Sequence, residues 1–338
     1  MAGRRGCAGV STASAAPLKV LSVTGAGRSG TTVLASILDG IDGWSSAGEM
    51  RRLWERGVAE GRPCACGQVP ERCPVWAPVV AQTLLTSDGK PSDDALQRIV
   101  DAQHALSPWR RRVRVLRSAA GGDAAWSELQ QVRTAMGAGL AAFAHVTGAR
   151  VVVDTSKRAE DAAVLAAVDG VEHYVLHIVR DPRAVVHSWR RAKSFYAGGS
   201  QRTMGTRKLP STVRRWIENC LSTELLLRQL PPGRWLRVRY EDFSENPRAV
   251  VDQIISLLDE TGQAPFEDDH TVRLGANHIV AGNPSRFTTG SVKIKADDEW
   301  STRMPRRDQL FVEWATKPLM RRYGFAGRSP GSTASHST

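Results

Sequence analysis

Apolar and polar positions follow a repeated order along this chain: a short apolar run, a turn, then a helical period. Residues 18–24 (LKVLSVT) are apolar and partly β-branched and end in glycines, which predicts a buried strand. Residues 25–30 supply the turn, and Thr31–Leu38 carries helical character that stops near Asp39-Gly40. Strand, glycine turn and helix in that order open a parallel α/β sheet. The order returns downstream. Residues 150–154 and 173–179 read as strands with a helix over 158–168 between them. Residues 234–240 form a weaker strand ahead of a helix from 246 to about 258.

Residues 57–147 break this rhythm with a Cys/Pro-rich patch and helical segments over 93–117 and 124–146. The expectation is a helical insertion on the sheet of one domain spanning 18–326. Residues 1–17 carry Arg4 and Arg5 but no continuous apolar core, and are expected to be a disordered lead-in. The small, polar stretch 327–338 is expected to be a disordered tail. No internal repeat is visible.

Composition narrows the class. Of 338 residues, 41% are hydrophobic, which excludes disorder throughout. No run approaches the roughly 18 apolar residues that a spanning helix needs. Lys and Arg number 46 against 34 Asp and Glu, a net charge of +12. That excess suits an anionic partner (nucleic acid, a phosphorylated cofactor, an acidic substrate or a membrane surface) without choosing one. Five cysteines, an odd count in a long chain, argue against a disulfide scaffold and for a reducing, cytoplasmic setting.

The most informative segment is Gly25-Ala-Gly-Arg-Ser-Gly-Thr-Thr32. Glycines let successive N–H groups point at one anion, and the following helix presents its positive end there. Gly25 and Gly30 fit the triphosphate pattern G-x-x-x-x-G-K-[ST], but Thr31 stands where that pattern needs lysine. The lysine reaches the β- and γ-phosphates, so its loss favours a smaller, less charged group than a triphosphate. Gly27, Arg28, Ser29, Gly30, Thr31 and Thr32 are therefore expected to hold a phosphate or phosphosulfate. A second anion site follows the strand at 173–179, in Arg180-Asp-Pro-Arg-Ala-Val-Val-His-Ser188. Pro182 suits a first helical turn. Arg180 falls at a strand's carboxyl end, where open α/β sheets bind ligands. Its planar fork and the Ser188 hydroxyl could grip a second phosphate.

Together these two segments resemble the sulfotransferases that use 3′-phosphoadenosine 5′-phosphosulfate (PAPS). In that family an RSGTT loop cradles the 5′-phosphosulfate and an R-D-P-R-x-x-x-x-S segment binds the 3′-phosphate; here they are Arg28 to Thr32 and Arg180 to Ser188. Weaker resemblances lie in Asp154-Thr-Ser-Lys157, in Val238-Arg-Tyr-Glu-Asp-Phe243 and in Gly282-Asn-Pro-Ser-Arg286. The resemblance implies a P-loop-type parallel sheet with helices on both faces, and the insertion as the acceptor-pocket region. The chain looks most like the branch containing tyrosylprotein sulfotransferases and many bacterial enzymes. There a glutamate follows the loop in a short S/C-G-E segment, matched by Ala47-Gly48-Glu49 at a similar spacing.

The resemblance makes Glu49 the general base for a hydroxyl acceptor, whether small molecule or glycan. The alternative for Glu49 is a carboxylate at the N-terminus of a helix over 50–56. Lys157, just past a strand, is the candidate to stabilise charge on the departing phosphate, with Arg28 second. Arg286 and either Lys293 or Lys295 are expected to close over the donor. No metal and no nucleic acid are expected, and oligomeric state is not legible. Val151-Val-Val-Asp154 imitates the strand-plus-Asp that holds magnesium in triphosphate enzymes, which keeps a small-molecule kinase with a degenerate loop as a rival. A non-catalytic polyanion binder is another. Cys64, Cys66 and Cys73 are one ligand short of a zinc site, with no histidine evident as the fourth, and resemble a family insert packed by Trp76. The basic run 109–117 reads as a solvated helix face, and His173, His177 and His187 as packing or surface residues.

Overall fold

The computed structural model describes residues 16–326 apart from 85–91, 122, 124, 192, 198 and 199, with the backbone alone for 193–197 and 200–204. The lead-in up to residue 15 and the tail 327–338 lie outside the described residues. Five strands form one parallel sheet in the order β2-β3-β1-β4-β7. They are β1 (Leu18–Gly25), β2 (Trp44–Gly48), β3 (Val151–Lys157), β4 (Val171–Val179) and β7 (Trp235–Arg239). Two antiparallel hairpins stand apart from it, β5 (Lys193–Ala197) with β6 (Ser200–Met204) and β8 (Thr271–Leu274) with β9 (Gly290–Lys293).

Side-chain alternation divides the core. On one face Val20, Val152 and Val175 join the insertion helices α2 (Trp76–Leu84), α3 (Asp93–Ala105), α4 (Trp109–Arg117) and α5 (Ser127–Thr147), with α6 (Ala159–Leu165). On the other, Leu21, Val23, Val153 and Leu176 pack on α1 (Thr31–Leu38), α10 (Pro247–Leu257) and β8. Strands buried on both faces explain why the sequence shows continuous apolar runs rather than alternation. Helices α7 (Pro182–Arg190), α8 (Leu209–Leu227), α9 (Tyr240–Glu245), α11 (Trp300–Arg303) and α12 (Arg306–Arg322) complete the molecule.

The helix expected at Thr31–Leu38 forms over those residues. The helical run expected over 93–117 does not form unbroken. It divides into α3 and α4 at Pro108, whose missing N–H and ring end a helix ahead of it. Trp76 stacks on Phe143 with ring centroids 4.8 Å apart, fastening α2 to α5. Among the described residues no helix is long and apolar enough to cross a membrane.

Candidate active site

At the carboxyl end of β1 the chain turns through residues 26–30 into α1. Gly30 lies at φ 73°, and a Cβ there would stand 2.8 Å from Tyr240 Cε2, so the turn requires glycine on two counts. Arg28 also adopts a left-handed backbone, φ 77°, without glycine's freedom; such strain gathers at functional sites. No side chain caps α1. Arg28 Nε and Nη2 and Ser29 Oγ are buried with no partner. A buried unpaired donor is costly, and an anion in the turn would satisfy these at once.

β2 delivers Glu49 to the same place. Glu49 N donates to Val280 O at 2.9 Å, and the next two amides are caught from β3: Met50 N by Asp154 Oδ1 at 3.1 Å, Arg51 N by Ser156 Oγ at 3.2 Å. Ser156 Oγ in turn donates to Asp154 Oδ1 at 2.7 Å. Burial pushes the Asp154 carboxyl up to about 7, against the lowering by its hydrogen bonds from Ser156 and Met50. Lys157 closes β3 at φ 71°, its carbonyl accepting from Asn219 Nδ2 at 3.0 Å. Its ammonium is hydrogen-bonded and ion-paired to the Glu49 carboxylate. Burial works to raise Glu49, but Lys157, Arg52 and Arg56 outweigh it and hold the carboxyl below the ordinary range.

The phosphate turn, Glu49 and Lys157 line one cavity of about 600 Å³. Its wall also takes Arg51, Arg52 and Arg56 from the chain after Glu49, and Arg158 beside Lys157. His104, Ser107 and Arg112 come from the insertion, and Trp189, Arg207, Arg215, Trp216 and Asn219 from α7, α8 and the segment between. Among the described lining residues, nine arginines and lysines face four glutamates. This pocket attracts anions.

A family description, the sulfotransferase family, matches residues 21–263. The chain belongs to the sulfotransferase family. No curated protein matches it in sequence. In structure it is similar to the sulfotransferase domain from the curacin biosynthetic pathway (15% identity, TM-score 0.47, covering 90% of this chain and 97% of that one). It is similar also to the sulfotransferase domain from the Synechococcus PCC 7002 olefin synthase (17%, 0.47, 90% and 94%). A third likeness is to sulfotransferase STF9 from Mycobacterium avium (14%, 0.44, 91% and 77%). Likenesses of this size carry no argument about substrate.

In this sulfotransferase the loop residues Gly27, Arg28, Gly30, Thr31 and Thr32 meet Glu49 and Lys157 at the cavity, with Ser29 fully buried beneath them. Arg180 and Ser188 do not line it. Arg180 is 4% exposed; it donates to Arg28 O at 2.5 Å, pairs with the Asp297 carboxylate at 3.0 Å and lies 4.2 Å from the Tyr240 ring centroid. Ser188 is buried on α7, whose Val185 and Trp189 do reach the cavity. Arg286 also stands off it, donating to Gly282 O at 3.0 Å and Pro63 O at 3.4 Å. Lys293, at the end of β9 opposite Thr271, and Lys295 are exposed and outside the cavity wall.

The sequence reading missed most of the cationic wall. Arg51-Arg52 directly after Glu49 and Arg158 directly after Lys157 were the available signals. The basic run 109–117 is more than a solvated face: Arg112 is ion-paired with Glu160 and lines the cavity. Asp154 is no cavity ligand; it is taken up in fixing the Glu49 turn. His173 donates or accepts with Ser22 Oγ at 2.8 Å, and burial holds His173 and His177 down to about 3, as packing residues require.

Proposed function

We propose that this sulfotransferase transfers a sulfo group from PAPS to the hydroxyl of a small molecule or glycan, with Glu49 as general base. The observation that carries the reading is the Glu49–Lys157 pair on the wall of a cationic cavity beside a phosphate turn whose buried donors lack partners. The turn's amides, Arg28 and Ser29 suit the 5′-phosphosulfate. The absence of lysine at position 31 disfavours a triphosphate, and Asp154 is occupied by protein donors, so the kinase reading finds no support here.

In the transfer, the Glu49 carboxylate takes the acceptor's hydroxyl proton as the acceptor oxygen bonds to sulfur. The bond from sulfur to the bridging phosphate oxygen breaks in line, and the electron pair leaves with the bisphosphate. Lys157 and Arg28 meet the negative charge that builds on that oxygen. The low proton affinity of Glu49 keeps it ionised at neutral pH, ready to accept. His104, Ser107 and Arg112 of the insertion line the same cavity and are our candidates to meet the acceptor.

Arg180 and Ser188 remain our proposal for the 3′-phosphate. Arg180 already touches the turn through the Arg28 carbonyl, and an incoming phosphate would compete with Asp297 for its guanidinium. Transfer of labelled sulfo groups from PAPS to a panel of hydroxyl compounds tests the activity. Labelled product from the wild type, formed at least about a hundredfold more slowly by Glu49→Gln, supports the proposal. Label transfer by Glu49→Gln at close to the wild-type rate rejects the base, and phosphorylation from ATP–magnesium rejects the reaction. An Arg180→Ala protein that binds adenosine 3′,5′-bisphosphate undiminished rejects the second phosphate site.

A further inference from the structure

The three cysteines of the insertion acquire a fourth neighbour that the sequence hides. Cys64 and Cys73 are fully buried, Cys66 is at the surface, and His278 reaches them from 205 residues beyond Cys73. Sγ of Cys64 lies 3.0 Å from that of Cys66 and 3.6 Å from that of Cys73; Cys66 and Cys73 are 3.6 Å apart. His278 Nδ1 stands 3.1 Å from Cys73 Sγ and 3.9 Å from Cys64 Sγ. All four ligand atoms fall within 4.8 Å of one another. A tetrahedral zinc ion with bonds of about 2.3 Å to sulfur and about 2.0 Å to nitrogen separates its ligands by roughly 3.5–3.8 Å. A soft, thiolate-rich donor set selects zinc among common divalent ions.

We propose that Cys64, Cys66, Cys73 and His278 bind one zinc ion in a closed, structural site. The surroundings are built to hold these ligands. Cys66 N donates to Cys64 Sγ at 3.3 Å, Cys64 N to Gln68 O at 2.9 Å, and Trp76 Nε1 to His278 O at 2.6 Å. The ion ties the cysteine turn to residues 277–283, already joined by Ala65 N to Ile279 O at 3.1 Å. That segment exchanges backbone hydrogen bonds with Ala47 and Glu49 through Val280, and Asn283 N donates to Thr32 Oγ1 at 3.3 Å. A metal at His278 therefore braces the strip of chain lying across the base and the phosphate turn. The ion rests on side-chain geometry alone; only its bracing of a donor site rests on the function proposed above.

The full chain, purified and dialysed against a weak chelator, should retain about one zinc per molecule by mass spectrometry. Cobalt in its place should give the intense visible bands of a tetrahedral thiolate site. His278→Ala and Cys66→Ser should each weaken zinc retention in a chelator competition by more than about tenfold, the loss typical of even an indirect partner. Stripping the ion with a strong chelator should speed hydrogen exchange of the 277–283 amides. Wild-type protein that carries no zinc and yields no such cobalt spectrum overturns the site. Zinc held equally by both variants overturns the ligand set, and unchanged exchange on stripping overturns the brace. Binding of adenosine 3′,5′-bisphosphate is read separately, so a protein with zinc but no donor binding refutes the proposed function and leaves the metal.

Discussion

Arg28 and Lys157 both hold left-handed backbone conformations without being glycine, and both stand on the wall of the cavity. Single residues there have separable jobs. Glu49→Gln should lower kcat by about 10²–10⁴, the usual worth of a positioned base, with bisphosphate affinity unchanged in calorimetry. Burial alone raises a carboxyl and the Lys157 ammonium lowers this one, so Lys157→Met should move the acid limb of the kcat/KM profile to higher pH. A limb that stays put or moves down contradicts the pairing. Asp154 shares one oxygen between Met50 N and Ser156 Oγ. Asp154→Asn keeps that acceptor and should keep most activity, whereas Asp154→Ala frees the turn and should cut kcat. Because the folded carboxyl titrates near 7 rather than at its ordinary 3.8, wild type loses stability relative to Asp154→Asn as pH rises from about 4 to 7. Denaturant titrations should show roughly 1 kcal/mol per pH unit. At this scale the sequence singled out Glu49 through the family resemblance and Lys157 through its place after a strand, and the two side chains pair on the cavity wall. Asp154 it left as support for the kinase rival, because a buried carboxyl that fixes a turn and one that holds a metal leave the same string.

Elements were legible where local pattern decides them. β1, β3 and β4 are continuous apolar runs because both faces are covered, and α1 is set by the glycine at its start. Gly30→Ala should cost about 1–3 kcal/mol in urea unfolding, from the left-handed backbone together with the contact to Tyr240. A loss below half of that would mean the turn relaxes freely. Gly282, φ 99°, lies where a Cβ would come 3.5 Å from Thr32 Oγ1 and 3.7 Å from Glu49 Oε1. Those contacts are ordinary, but an alanine at this φ is strained, so Gly282→Ala should shift the strip beside Thr32 and weaken donor binding while leaving the sheet intact by circular dichroism. The hairpin of β8 and β9 escaped the sequence reading: its strands have four residues each, too few to show a period. Lys293 and Lys295, expected to close over a donor, lie at and just beyond the end of β9, exposed and outside the cavity wall.

The cavity belongs to the whole molecule. Arginines 51, 112, 158, 207 and 215 sit in separate stretches of chain and meet only because the sheet order brings β2, β3 and β1 side by side under the insertion. Net charge announced an anionic partner, but no local motif could say that so much of it faces one space. The same distance hid His278 from the cysteines. What the strand–turn–helix and the R-D-P-R segment raised is the expectation of one adenine nucleotide held at two phosphorylated corners, which stands as our proposal. Isothermal titration of the wild-type chain with adenosine 3′,5′-bisphosphate and with ATP–magnesium tests this most directly. Tight binding of the bisphosphate is expected, weakened by Arg28→Ala and by Arg180→Ala, with at least tenfold weaker binding of ATP–magnesium. Equal or tighter binding of ATP–magnesium would contradict it.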